Sequence, residues 1–162
     1  MIVVDSNVLA AWSLIGPGTP SAQQVEQRDP VWIVPSLWRF EFQNILAKAI
    51  WARQITTADA ISVWMEVAAR MSENEWDPSA QNVLALSARH RISAYDANFV
   101  ALAMEMGVLC VTEDGELQEK LPTIAISMAA FVKAAEGSGE VREAPAPYRT
   151  RKRQPAATRS TP

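Results

Sequence analysis

The chain has 162 residues, of which 49% are hydrophobic and 20% charged, and a formal net charge of −3. That is one globular domain with a sizeable core, which excludes a multidomain machine and a wholly disordered protein. No apolar run reaches the roughly 18 residues of a membrane span, and Met1-Ile2-Val3-Val4-Asp5 lacks the basic start of a secretory leader, so a cytoplasmic protein is expected.

In chain order, Ile2-Val3-Val4 predicts a strand, Asp5-Ser6-Asn7 a turn, and Val8 to Trp12 a helix. A Gly/Pro loop at 16–18 and a weak helix near 21–28 lead to a buried strand at Val31-Trp32-Ile33-Val34. Pro35 then opens a long helix over 36–53, with Trp38, Phe42, Ile45, Ala49 and Ile50 on its apolar stripe and Glu41, Asn44 and Lys48 on the flank. Helices follow at 57–71 and 79–90. Ser93 caps another from Ala94 to Met106, which Gly107 ends before the apolar strand 108–111. A short helix near 116–120, a strand at 123–126 and a helix at 128–135 complete the pattern. Apolar runs alternating with helices imply a parallel sheet covered on both faces.

The charge is unevenly spread. Residues 1–141 hold 9 basic against 17 acidic residues, a balance of −8, whereas 142–162 hold 6 against 1, a balance of +5. The Pro/Ala-rich basic tail, 137–162, has too little apolar material to pack and is expected to be disordered. Arg151, Lys152 and Arg153 suit phosphate contacts, and Tyr148 suits stacking on a base; a purely solubilising tail reads the same way. One cysteine, Cys110, and one histidine, His90, cannot build a thiolate–histidine metal cluster or an intrachain disulfide.

In open α/β sheets ligands bind beyond the carboxyl ends of the strands. Asp5 directly follows the first strand and Asp114 lies just past the third; Glu41 and Asp96 fall in the early turns of helices that start near the same rim. Four unpaired carboxylates repel one another, and a hard divalent cation such as Mg²⁺ or Mn²⁺ relieves that repulsion with oxygen ligands. Such an ion activates water and neutralises a phosphodiester in its transition state. Each acid also has a structural reading. Asp5 and Asp114 suit helix N-caps, Asp96 a Ser-x-x-Asp capping box with Ser93, and Glu41 a pair with Lys48.

Four segments in order carry a resemblance: Val3-Val4-Asp5-Ser6-Asn7-Val8-Leu9, Pro35 through Leu46 with Glu41 within it, Tyr95-Asp96-Ala97-Asn98-Phe99-Val100-Ala101-Leu102-Ala103, and Val111-Thr112-Glu113-Asp114-Gly115-Glu116-Leu117. Over residues 1–132 the chain resembles the PIN-domain ribonucleases of the VapC toxin type. The resemblance implies a three-layer α/β/α sandwich around a parallel sheet of four to five strands, with 1–136 as the nuclease domain. It implies that Asp5, Glu41, Asp96 and Asp114 form the acidic site, Asp5 and Asp96 being the direct Mg²⁺ or Mn²⁺ ligands, with Ser6 and Thr112 as supporting hydroxyls. It further implies hydrolysis of RNA, a VapB-like antitoxin and a homodimer. Arg39, Arg89 and Arg91, with the tail, are the candidate RNA contacts. Of the six tryptophans, Trp32 and Trp38 suit the core, while Trp12, Trp51 and Trp64 are candidates for an interface. The competing function is a non-catalytic binding module whose acids merely cap helices.

Overall fold

The computed structural model describes residues 1–136, so the calls on the tail, including Tyr148, Arg151, Lys152 and Arg153, lie outside the described residues. The order of elements is β1 (Ile2–Val4), α1 (Ser6–Ser13), α2 (Thr19–Arg28), β2 (Trp32–Ile33), α3 (Trp38–Trp51), α4 (Thr57–Met71), α5 (Ala80–His90), α6 (Ala94–Met106), β3 (Cys110–Val111), α7 (Gly115–Lys120), β4 (Ala125–Ile126) and α8 (Met128–Glu136). The four strands form one parallel sheet in the order β2-β1-β3-β4. The strands are apolar throughout because helices cover both faces, which gives a three-layer α/β/α sandwich.

From β1 the chain crosses to β2 on one side, then returns past β1 to β3 on the other. The strand order therefore reverses between β1 and β3, where Val3 pairs with Cys110 and Val4 with Val111. The crevice of an open α/β sheet lies beyond the carboxyl ends of the strands at such a reversal.

The main core gathers β1, β2 and β3 with Leu9, Trp32, Trp38, Phe42, Met71, Phe99 and Leu102, each at most 2% exposed. Trp64 stacks on Trp38 at 5.3 Å between ring centroids, and Trp12 meets Trp32 edge-on at 6.0 Å. The Trp12 indole also donates to Glu26 and lies under the Arg70 guanidinium. Of the three tryptophans proposed for an interface, then, Trp12 and Trp64 are packed, while Trp51 is 75% exposed at the end of α3. No described helix is long and apolar enough to cross a membrane.

Candidate functional site

The site starts at the carboxyl end of β1. The Asp5 amide donates to the Val111 carbonyl at 3.0 Å, which ties the ends of β1 and β3 together, and the Asp5 carbonyl accepts from Val8 and Leu9 to begin α1. Asp5 thus stands at the N-cap of α1, in extended conformation, yet its side chain makes no cap hydrogen bond. Its Oδ2 instead accepts from the Thr112 hydroxyl at 2.5 Å and from Asn7 Nδ2 at 2.7 Å. The cap reading of Asp5 therefore holds for its position but not for a side-chain cap bond, the carboxylate being held by Thr112 and the Asn7 side chain.

Glu41 lies in the first turn of α3 and accepts from the buried Ser6 hydroxyl at 2.8 Å. The described ion pairs include none between Glu41 and Lys48; a pair between these two residues is replaced by the bond to Ser6. Asp96 is in the first turn of α6. The Ser93 hydroxyl accepts from the Asp96 amide at 3.1 Å and donates to Asp96 Oδ2 at 2.6 Å, so the serine cap is real and also orients the carboxylate.

Burial raises the Asp5 carboxyl above its ordinary range, and the charge of Asp96 adds to the shift against the hydrogen bonds that lower it. Burial likewise raises Glu41, opposed by the Ser6 bond and reinforced by the charges of Asp5 and Asp96. Three carboxylates from β1, α3 and α6 therefore feel one another at the reversal point, and none takes part in a described ion pair.

Asp114 joins differently. It caps α7 through Oδ1, which accepts from the Glu116 and Leu117 amides at 2.8 and 3.1 Å, as the cap reading expects. Its link to the cluster is its amide, which donates to the fully buried Thr112 Oγ1 at 3.0 Å. Thr112 is therefore the hinge between Asp5 and Asp114.

Asn7 is a further participant that composition and spacing did not single out. It donates to Asp5 and, at 3.2 Å, to Thr112, while its Oδ1 accepts from the Glu113 amide at 3.1 Å. Its place two residues after a strand-end aspartate was the available signal. Of the candidate cations, Arg39 is paired with Glu75 at 2.7 Å and lies over Trp38, Arg89 lines a groove between α5 and α6, and Arg91 holds a left-handed conformation (φ 52°) at the end of α5.

The donor set for a metal is all oxygen, half-buried and net negative, which suits a hard divalent cation. Among the described residues no group of three or more His, Cys, Asp or Glu side chains is placed to hold a metal ion. An ion that keeps several waters and takes one or two carboxylates, as Mg²⁺ does, needs no such group. The donor chemistry suits such an ion.

The fold has its counterpart in known proteins. The crystal structure of PAE2754 from Pyrobaculum aerophilum superposes with a TM-score of 0.67 at 21% identity, covering 85% of this chain and 97% of that one, which shows a shared fold. No curated protein matches the sequence. A family model for the PIN domain matches residues 2–121, the span that contains Asp5, Glu41, Asp96 and Asp114, and members of that family are generally nucleases that use divalent metal ions. The chain belongs to the PIN-domain family.

Proposed function

We propose that this PIN domain is a metal-dependent endoribonuclease that acts as the toxin of a toxin–antitoxin pair. The observation that carries the chemistry is the electrostatic coupling of Asp5, Glu41 and Asp96 at the strand reversal, with none of them in an ion pair among the described residues. In this reading Asp5 and Asp96 hold Mg²⁺ or Mn²⁺, and Glu41 and Asp114 complete the coordination or orient the attacking water. When bound, the ion lowers the pKa of a coordinated water and neutralises charge on the phosphodiester.

The chain's own residues supply orientation. Thr112 and Asn7 fix Asp5 through one oxygen, Ser6 fixes Glu41, and Ser93 fixes Asp96, so the carboxylates stay aimed without rearrangement when RNA arrives. Residues 1–136 are the nuclease unit, and Arg89, Arg91 and the tail residues Arg151, Lys152 and Arg153 serve as contacts to the RNA backbone. Arg39 joins them only by giving up its pair with Glu75.

A protein partner, whether a VapB-like antitoxin or a second copy in a homodimer, has support in the outer faces of α3 and α4. Ala47, Ile50, Ile61 and Trp64 line an apolar groove there, flanked by Trp51 at 75% and Met65 at 64% exposure.

The test is cleavage of total cellular RNA by antitoxin-free protein in Mg²⁺ or Mn²⁺, against EDTA and against folded Asp96→Asn. Discrete fragments that vanish in both controls are expected. Absence of cleavage with either ion favours the binding-module reading, in which the Asp114 cap and the Ser93–Asp96 bond are ends in themselves.

A further inference from the structure

Helix α6 is deeply placed in the fold. Ala97, Phe99, Val100, Ala101, Leu102 and Ala103 are each at most 2% exposed. Tyr95 lies on the same stripe as Phe99 and Leu102, at i, i+4 and i+7, yet it is 63% exposed. The stripe leaves the core at its N-terminal end, which lies toward the carboxyl rim of the sheet because α6 runs on into β3. Among the described residues Tyr95 has no ring contact, and its hydroxyl has no hydrogen bond. Its sequence neighbour Asp96 stands in the first turn of α6, with its carboxylate held by the Ser93 hydroxyl. An exposed aromatic ring without a described ring partner therefore stands next in sequence to one of the acids of the cluster.

We infer that Tyr95 is a stacking platform for an unpaired base next to the scissile phosphodiester, a substrate-positioning residue, an inference that rests on the ribonuclease reading above. The body of the protein is acidic, so phosphate attraction alone holds RNA poorly at this rim. Stacking needs no charge and accepts any base with a π-face, which suits a single-stranded loop whose bases splay out. Base contact at Tyr95 brings the adjacent phosphate toward Asp96 and leaves the carboxylates themselves untouched. Tyr95 is thus a binding group, with its effect on KM rather than on the reacting atoms.

The experiment uses the full chain and a short single-stranded RNA with 2-aminopurine in place of its adenines, read by fluorescence quenching and by steady-state cleavage. Tyr95→Ala is expected to raise KM about 5- to 100-fold, with kcat changed less than about threefold and the quenching lost. Tyr95→Trp restores both. An RNA abasic at the stacked position is expected to bind wild type and Tyr95→Ala alike. Wild-type cleavage without quenching, an unchanged KM in Tyr95→Ala, or a fall in kcat that Trp does not rescue overturns the inference. So does a variant that keeps its RNA KM and loses only a protein partner. No cleavage of any RNA by wild type is a separate outcome, and it overturns the ribonuclease reading instead.

Discussion

Two turns of this fold have the same construction and opposite use. After β1 and after β3 the chain passes through an aspartate in extended conformation into a helix, Asp5 before α1 and Asp114 before α7. Asp114 caps its helix, taking two amides on Oδ1; Asp5 makes no such cap bond, its carboxylate being held by Thr112 and the Asn7 side chain, with the Ser6 and Asn7 amides near enough to lower its pKa. An N-cap hydrogen bond commonly contributes about 1 kcal/mol. Desolvation raises the Asp5 carboxyl all the same. The contrast separates an aspartate whose carboxylate is taken up by its helix from one whose carboxylate is left to the neighbouring loop.

The strongest way to break this contrast is Asp5→Asn. In the RNA cleavage assay its rate is expected to fall about 10³-fold or more, while its melting temperature without metal stays level or rises, because a desolvated charge is gone. A variant that unfolds instead places Asp5 with the structural residues. Thr112→Val comes next. It strips the acceptor from the Asp114 amide and Asn7 and the donor from Asp5, all around a fully buried hydroxyl. A loss of about 1–3 kcal/mol in urea unfolding is expected, together with reduced cleavage.

Asp114→Ala tests the other side. Removing the cap of α7 is expected to lower stability by about 1 kcal/mol, and to slow cleavage far less than Asp5→Asn does. Equal losses of activity in the two variants erase the distinction. The mildest effect is on pH. Asp5 and Glu41 titrate above their ordinary values of 3.8 and 4.5 in the folded chain. Their contribution to stability is fully present below the unfolded values and is lost as pH rises through the folded ones. Calorimetry in EDTA and in excess Mg²⁺ reads this directly. The gain in melting temperature from the cation is expected to be larger near pH 7 than near pH 5, and an equal gain at both counts against a carboxylate site.

The helices were legible where their caps and stripes agreed. The boundaries of α4 and α6 coincide with those expected, the first through a Thr56–Asp59 capping box and the second between Ser93 and the left-handed Gly107. The α1 start was harder, because Ser6 and Asn7 read as turn residues, whereas both enter the first helical turn once Asp5 takes the extended N-cap position. The helix expected from residue 36 begins at Trp38, since Pro35 and Trp38 close a turn first. Strands shortened for a related reason. Val108 and Leu109 are apolar enough to extend β3, but the Val108 amide bonds back to Ala103 and closes α6, leaving Cys110–Val111 in the ladder.

At the site, the positions of the four acids followed from strand ends and helix starts. How each is held did not, because Thr112 and Asn7 sit 105 residues apart and meet only through the β1–β3 pairing. Local patterns cannot report a bond of that span. The same limit hid the pairing of Arg39 with Glu75.

A last feature concerns β2, the outer strand on one side. Val34, just beyond it, donates to the Asn74 carbonyl at 3.1 Å and accepts from the Trp76 amide at 2.9 Å, a parallel bridge to the loop after α4. That loop acts as a stub of a fifth strand. It occupies the backbone groups with which a foreign extended segment would begin to add on, and so guards this flank of the sheet against templated aggregation. Glu75 anchors the loop by accepting from Trp38 and Arg39, so an acid remote from the acidic cluster helps to hold this edge of the sheet closed.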